Sequence, residues 1–181
     1  VVTAFADVIA IVIFTSTWIV AFYFETFKGR YYAEVDQLRR QGKRLLYKPV
    51  AVLVPVVNED LSIVRNTLRS VLALRGKKNI YILDDGRRDA MLELAQEMGV
   101  EYITRQGNAF FKAGNLNNAL RQIWEEFVIV VDADFALRPN FIERTLPLFC
   151  DSSIAAVQTP QFYSNEDTLF ARGSKYLQTL F

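Results

Sequence analysis

Histidine is missing from all 181 residues, and the sequence holds a single cysteine, Cys150. The first absence excludes a Ser-His-Asp triad, a Cys-His pair and any histidine-ligated zinc site within this chain. The second excludes an internal disulfide and a thiolate metal cluster, and it fits a reducing compartment. Net charge is nearly absent too: 21 Lys and Arg stand against 20 Asp and Glu, so no global basic footprint points to nucleic acid. No internal repeat and no low-complexity tract appears. The chemistry left open is that of carboxylates, lysines or a bound metal, carried on a chain long enough for one domain with a real core.

Charge is also absent from Val8 to Phe24, VIAIVIFTSTWIVAFYF. Extended back to Ala4, this stretch reaches about 20 residues, the length that crosses a hydrocarbon core. Asp7 lies near one end, where headgroups or a neighbouring helix can receive it. Trp18 and Tyr23 add aromatic character towards the other end, and Tyr23 suits an interface. The segment 1–25 therefore reads as an N-terminal transmembrane helix, with a buried core helix as the alternative. A signal peptide needs positive charge before the apolar run and small residues after it, and neither is present. The chain opens on Val1 rather than Met, so further segments are expected upstream.

Residues 26–48 form a basic segment. Lys28, Arg30, Arg39, Arg40, Lys43, Arg44 and Lys48 are opposed there only by Glu34 and Asp36. By the positive-inside rule this flank is cytoplasmic. It either lies along the anionic inner surface of the membrane or forms a solvated helix.

After Pro49 the pattern changes to short apolar runs separated by helical periodicity, which predicts an α/β domain with a mostly parallel, Rossmann-like sheet and flanking helices. The domain is placed at residues 49–166, with 167–181 opening a further segment. Strands are expected at Val50–Val56, at Asn79–Asp85, at Glu101–Thr104, from Phe127 to Asp134, and at Ile154–Val157. Between them, Asn58, Glu59 and Asp60 offer N-caps for a helix that runs until Gly76 stops it, and Gly99 closes a second helix. A third helix carries Leu116, Ala119, Leu120, Ile123, Trp124 and Phe127, and Pro139–Asn140 open a fourth through Phe149.

Ligands of such sheets bind beyond the carboxyl ends of the strands, which is where the acidic residues fall. Asp132 and Asp134 are one residue apart. If strand geometry persists, both side chains share a face and can approach one hard cation, magnesium or manganese. Bridging a diphosphate, such an ion neutralises charge on a departing group. Taken alone, D-x-D also caps turns. Asp84 and Asp85 before Gly86 can accept from a nucleoside's N–H and hydroxyl groups, or simply build a D-D-G turn. Lys112 and Gly114, read as preceding a helix start, offer a diphosphate a point charge beside orphan N–H groups, unless Lys112 is an ordinary surface cation.

These pieces together carry a family likeness. V-P-x-x-N-E (Val54–Glu59), L-D-D-G (Leu83–Gly86), K-A-G-N-L-N (Lys112–Asn117), the D-x-D of Asp132 and Asp134, and Q-T-P-Q-F-Y-S-N (Gln158–Asn165) follow one another. In this order they resemble the cellulose-synthase-like, processive branch of family 2 glycosyltransferases, which has a GT-A fold. The resemblance implies a donor site of Pro55, Asn58, Glu59, Asp84, Asp85, Lys112, Gly114, Asn115 and Asp132, and a magnesium or manganese site at Asp132 and Asp134. It further implies that Gln158, Thr159, Pro160 and Gln161 border the path of the growing polymer. By the same resemblance the donor is a UDP-sugar, expected to be UDP-glucose, and the acceptor is a growing polysaccharide, expected to be a β-glucan. The enzyme would be a multi-pass protein of the inner (plasma) membrane with a cytoplasmic catalytic domain, in contact with the lipid bilayer and with accessory subunits.

Two departures stand out. Val56 and Val57 replace the Thr and Tyr usual before Asn-Glu, which leaves base stacking open at that point. The T-E-D-like segment that supplies the general base, and the acceptor-binding Q-x-x-R-W, do not occur before Phe181, so the base is expected beyond it. A nucleotide-sugar-binding scaffold or sensor without turnover is the alternative. A phosphatase-type nucleophile pair is disfavoured, because Ala136 stands where that motif requires Thr or Val and the motif sits on the fourth strand. Changing the lysines and arginines of residues 26–48 to Glu should weaken membrane orientation in a topology-reporter fusion; an unchanged topology counts against the anchor.

Overall fold

In chain order the elements are α1 (Val2–Gln41), β1 (Val50–Val56), α2 (Leu61–Leu72), β2 (Lys78–Asp84), α3 (Asp89–Met98), β3 (Glu101–Thr104), α4 (Phe111–Leu120), β4 (Phe127–Val130) and α5 (Phe141–Thr145), with short 3-10 turns at Gly42–Tyr47 and Leu146–Cys150. This is a computed structural model, and it describes residues 2–161. Two compact units result, one formed by residues 39–152 and the other by residues 2–38 with residues 153–161.

The larger unit is built on β1. All seven residues of VAVLVPV are buried, as a strand covered on both faces and paired on both edges requires. The four described strands run parallel in the order β3-β2-β1-β4. Side chains alternate across the sheet. Val50, Val52, Val54 and Val56 pack with Val64, Leu68 and Val71 of α2 and with Met91, Leu94 and Ala95 of α3. Ala51 and Leu53 face the other way, towards Leu83, Ile103 and Ala119, with Leu116 against them. The result is a three-layer α/β unit of the kind the sequence pattern predicts.

Local signals set most boundaries. The Asp60 carboxylate accepts the Ser62 N–H at 2.7 Å and caps α2, and its hydrogen bonds to Ser62 hold its carboxyl below the usual range. Gly99 ends α3 in the left-handed region at φ 66°, where a side chain would be strained. In α2 the helix stops at Leu72, short of Gly76, which instead takes φ 115° in the loop before β2.

Four expectations are corrected. First, α4 ends at Leu120, not near Phe127: the chain turns there through bonds from Gln122 N and Ile123 N to Ala119 O, because Phe127 is needed to pair with Val50 in the sheet. Second, β4 ends at Val130 rather than running through Asp134. Third, Ile154–Val157 forms no strand; among the described residues the sheet has four. The fourth helix is also divided, since Pro147 lacks the N–H that would continue α5 and a 3-10 turn follows.

In the smaller unit α1 carries the apolar run. The helical stretches Val8–Tyr23 and Thr26–Tyr47, the second running on through the 3-10 turn at Gly42–Tyr47, are bent by 45°, and no single helix among the described residues is long and apolar enough to cross a membrane, although the bent pair together has the length and composition. Residues 8–20 are exposed throughout. The hydroxyls of Thr15, Ser16 and Thr17 bond back to carbonyls of Ile11 and Ile13 at 2.8 Å, so those polar groups are satisfied within the helix.

Gly42 is buried, and a Cβ placed on it would stand 1.9 Å from the Pro147 carbonyl oxygen. That neighbour is backbone and cannot rotate away. Gly42→Ala should therefore cost roughly 1–3 kcal/mol, read as a lower urea midpoint with unchanged slope.

Candidate functional site

The site forms where the sheet changes direction. The chain builds β1, β2 and β3 outward in one direction and then returns to place β4 on the other side of β1, creating the switch point beside which ligands of open α/β sheets bind. The opening is physical. β4 pairs with β1 only up to Leu53↔Val130, whereas β2 follows β1 to Val56↔Asp84. Leu53 O still accepts from Val131 N on the β4 side, and Val56 O accepts from Asp85 N on the β2 side. Pro55 has the phase of Leu53, so its missing N–H faces the side that β4 has left, and a proline is tolerated in a central strand.

Asp84 and Asp85 close β2 and do different work. Asp84 is fully buried. It accepts the N–H groups of Gly86 and Arg88, both at 2.8 Å, and the Tyr102 hydroxyl at 3.0 Å. These bonds make it the internal scaffold of the D-D-G turn. Gly86 is required for close approach, since a Cβ would lie 2.3 Å from Val57 O. The left-handed residue of this turn is Arg87, at φ 52°. Arg88 in turn donates to Glu59 O at 2.7 Å, and Glu59 accepts from Val57 N at 2.6 Å. The β1–α2 loop containing Asn58 and Glu59 is thereby tied to the D-D-G turn. Arg88 Nε and Nη2 are buried without a hydrogen-bond partner, as is Asn115 Oδ1.

Asp85, also buried, is held by a residue that the motifs did not single out. Arg105, just after β3, grips it through Nε and Nη2, both at 2.7 Å, the two-pronged geometry that favours arginine over lysine. The same guanidinium donates to Ala109 O at 2.7 Å and Phe111 O at 2.9 Å. These bonds hold the loop leading into α4, where Phe110 and Phe111 take φ of 60° and 45° while more than 80% exposed. Left-handed backbone at bulky residues costs roughly 1–2 kcal/mol each, so the loop needs such a clamp. The signal available in the sequence was an arginine directly after a strand, with a carboxylate at the end of the neighbouring strand.

Lys112 and Gly114 lie inside the first turns of α4, which starts at Phe111, and do not precede it. Gly114 has no room for a side chain: its Cβ would meet Ala109 O at 2.1 Å. Asn115 is buried and donates to Leu83 O at 2.8 Å, joining α4 to β2. The Lys112 ammonium forms an ion pair with the Asp132 carboxylate.

With β4 ending at Val130, the D-x-D does not continue the strand. Phe135 N bonds Asp132 O at 3.0 Å and closes a turn, in which Asp132 is half-buried, Ala133 buried and Asp134 exposed. Among the described residues no group of three or more metal-ligating side chains occurs. The donor set still suits a hard cation: two carboxylates leave most of the coordination sphere to phosphate oxygens and water, as magnesium sites do, and an ammonium already rests on one of them. Gln158, Thr159, Pro160 and Gln161 belong to the smaller unit, where Thr159 is half-buried and the others exposed. Phe162–Asn165 of the same motif lie outside the described residues.

The family model described as "Glycosyl transferase family 2" matches residues 51–180. Cellulose synthase 2 of Novacetimonas hansenii is 42% identical over 122 residues, 65% of this chain and 8% of that protein. The UDP-forming cellulose synthase catalytic subunit of Xanthomonas axonopodis pv. citri (strain 306) is 36% identical over 126 residues, 67% of this chain and 17% of that one. The UDP-forming cellulose synthase 1 catalytic subunit of Komagataeibacter xylinus is 34% identical over 146 residues, 76% and 20% respectively. The chain thus spans between 8% and 20% of these relatives. In structure it is similar to residues 1–349 of TarS from S. aureus, with a TM-score of 0.51, 18% identity, and 62% of this chain and 38% of that one covered. It is also similar to the mannosyltransferase PcManGT from Pyrobaculum calidifontis in complex with GDP-Man and Mn2+, with a TM-score of 0.50, 19% identity, and 78% and 48% covered. At these identities the structural likeness establishes the fold.

Burial, and then the bond to Asp84, push the Tyr102 phenol up to about 12. Its folded value lies above that of unfolded tyrosine, about 10, so the stability it contributes is complete below pH 10 and is lost as pH rises through the folded value. Burial also pushes the Tyr81 phenol up to about 12, so a tyrosinate absorbance titration should show one late-ionising group fewer in Tyr102→Phe, and that variant should lose less stability than the parent across this alkaline window.

Proposed function

The chain belongs to glycosyl transferase family 2, and from this premise we propose that it forms the donor-binding half of a membrane-bound, processive enzyme that transfers a sugar from a UDP-sugar to a growing polysaccharide. Glucose and a β-glucan are the proposed sugar and product. The observation that carries the reading is the Lys112–Asp132 pair at the switch point. A lysine and the first carboxylate of D-x-D neutralise each other where a diphosphate and its cation would meet. The similar cellulose synthases named as UDP-forming support uridine as the nucleoside.

In this reading the D-D-G turn and the Pro55–Glu59 loop take the nucleoside, while Asn115 packs α4 against β2 and so sets the height of Lys112. Asp132 and Asp134 hold magnesium or manganese, and the bound cation supplies charge neutralisation for the departing diphosphate. Lys112, exchanged from Asp132 to a phosphate oxygen, adds its own charge there. Arg88 and Arg105 lie against Asp84 and Asp85, and Arg87, exposed at the same turn, adds a cation that favours a polyanion over a neutral ligand. None of the described carboxylates is assigned as the base that deprotonates the acceptor, which is a separate role. Gln158–Gln161 are proposed to border the polymer path.

Membrane anchoring is proposed for α1. Residues 8–20 are exposed throughout, and the hydroxyls of Thr15, Ser16, Thr17 and Thr26 are bonded within the helix, as lipid surroundings demand. The basic residues that follow support a cytoplasmic position for the sheet domain.

The decisive test uses the full-length protein in membranes, supplied with individual labelled UDP-sugars and magnesium, followed by linkage-specific glycanase digestion. Polymer formation from UDP-glucose should require the metal and should be abolished by Asp134→Asn. Metal-dependent synthesis that survives the substitution refutes the site assignment.

A further inference from the structure

The D-x-D turn is held from below by a helix whose polar residues have no part in the donor site. Thr67 lies in the middle of α2, is 2% exposed, and donates its hydroxyl to Ala133 O at 2.6 Å. One helical turn later, Ser70 Oγ accepts the Leu137 N–H at 3.1 Å and its hydroxyl donates to Thr67 O at 2.7 Å. Residues three apart share a helix face, so the two hydroxyls pin residues 133 and 137, the two ends of the segment that carries Asp134. Between the pins the turn is closed by Phe135 N on Asp132 O, and the Ala133 methyl is buried in the core. The residue between the two carboxylates is thus anchored twice, through its methyl and through its carbonyl, while the carboxylates flank it.

From this geometry we infer that Thr67 is a positioning residue for the cation site, with Ser70 in support: the α2 hydroxyls set the backbone of the D-x-D turn so that Asp132 and Asp134 present their oxygens at a fixed spacing. The inference rests on the proposed assignment of Asp132 and Asp134 to a divalent metal. Two features separate this pair from ordinary core packing. Thr and Ser in a helix interior gain nothing for the helix itself, and both point at the one stretch of backbone that departs from β4.

The test is Mn2+ binding by electron paramagnetic resonance in the full-length protein with saturating UDP, alongside UDP binding without metal. Thr67→Val keeps shape and removes the hydroxyl. It should weaken Mn2+ roughly 10–100-fold, as loss of an outer-shell partner does, and leave metal-free UDP binding unchanged. Thr67→Ser should recover most of the affinity. Ser70→Ala, which disturbs the core less, should give a smaller loss in the same direction and serves if Thr67→Val does not fold. Unchanged Mn2+ affinity in both Thr67→Val and Ser70→Ala, while Asp134→Asn loses it, overturns the inference and leaves the metal site standing. An equal fall in Mn2+ and metal-free UDP binding also overturns it, because the role is then structural only. Unchanged Mn2+ affinity in Asp134→Asn refutes the metal site and the inference with it.

Discussion

β1 outlasts β4. Its pairing with β4 ends at Leu53, three residues before its pairing with β2 ends at Val56, and the crevice at the carboxyl edge exists because of that mismatch. A strand buried on both faces and both edges must satisfy every backbone group from a neighbour. Once β4 has gone, one edge of β1 needs either a new partner or a residue without a donor. Val131 N provides the first by bonding Leu53 O, and Pro55 is the second. From there the chain after β4 is free to turn, which sets Asp132, Ala133 and Asp134 on a turn rather than on a ladder.

Around this opening each loop is fastened by a polar side chain from another element. Asp84 gathers the D-D-G turn, Arg88 ties it to the β1–α2 loop, Arg105 ties Asp85 to the loop before α4, and Thr67 ties α2 to the D-x-D turn. Buried polar groups are costly unless bonded, so these contacts specify one arrangement of the loops. The carboxylates are consequently unequal. Asp84 is wholly engaged inside the fold and Asp85 is gripped by a guanidinium, whereas Asp132 carries an ammonium at a half-exposed position and Asp134 is exposed. For a polyanionic donor, as proposed, the second pair is the more exchangeable, since ion pairs in contact with water are weaker than buried ones.

Much of the framework was legible before any coordinates. The continuous apolar run of β1, the cap at Asp60, the left-handed stop at Gly99 and the four residues of β3 follow from period, capping and glycine, which act over a few residues. What misled were stretches where two patterns overlap. Phe127 fits both the helical spacing of α4 and the start of a strand, and pairing with Val50 decided for the strand. The apolar run from Phe127 to Val131 suggested a strand reaching the carboxylates, yet β4 stops at Val130, because the next bond on that edge of β1 would come from Pro55, which has no N–H. Ile154–Val157 has strand composition but finds no described neighbour to pair with, and composition cannot supply one.

By itself the sequence determined which residue types stand at the strand ends, in what order, and hence the family, because a motif is a property of the chain. Lacking histidine and having one cysteine, it also limited the chemistry to carboxylates, basic side chains and a hard cation. Only the tertiary structure decided which of those groups meet. That Arg105 takes Asp85, that Lys112 takes Asp132, and that Thr67 lies under Ala133 depend on parallel register and on helices crossing a sheet, which bring together residues 20, 20 and 66 positions apart. Local propensity carries no information at such separations; the packing of β1 between its neighbours does.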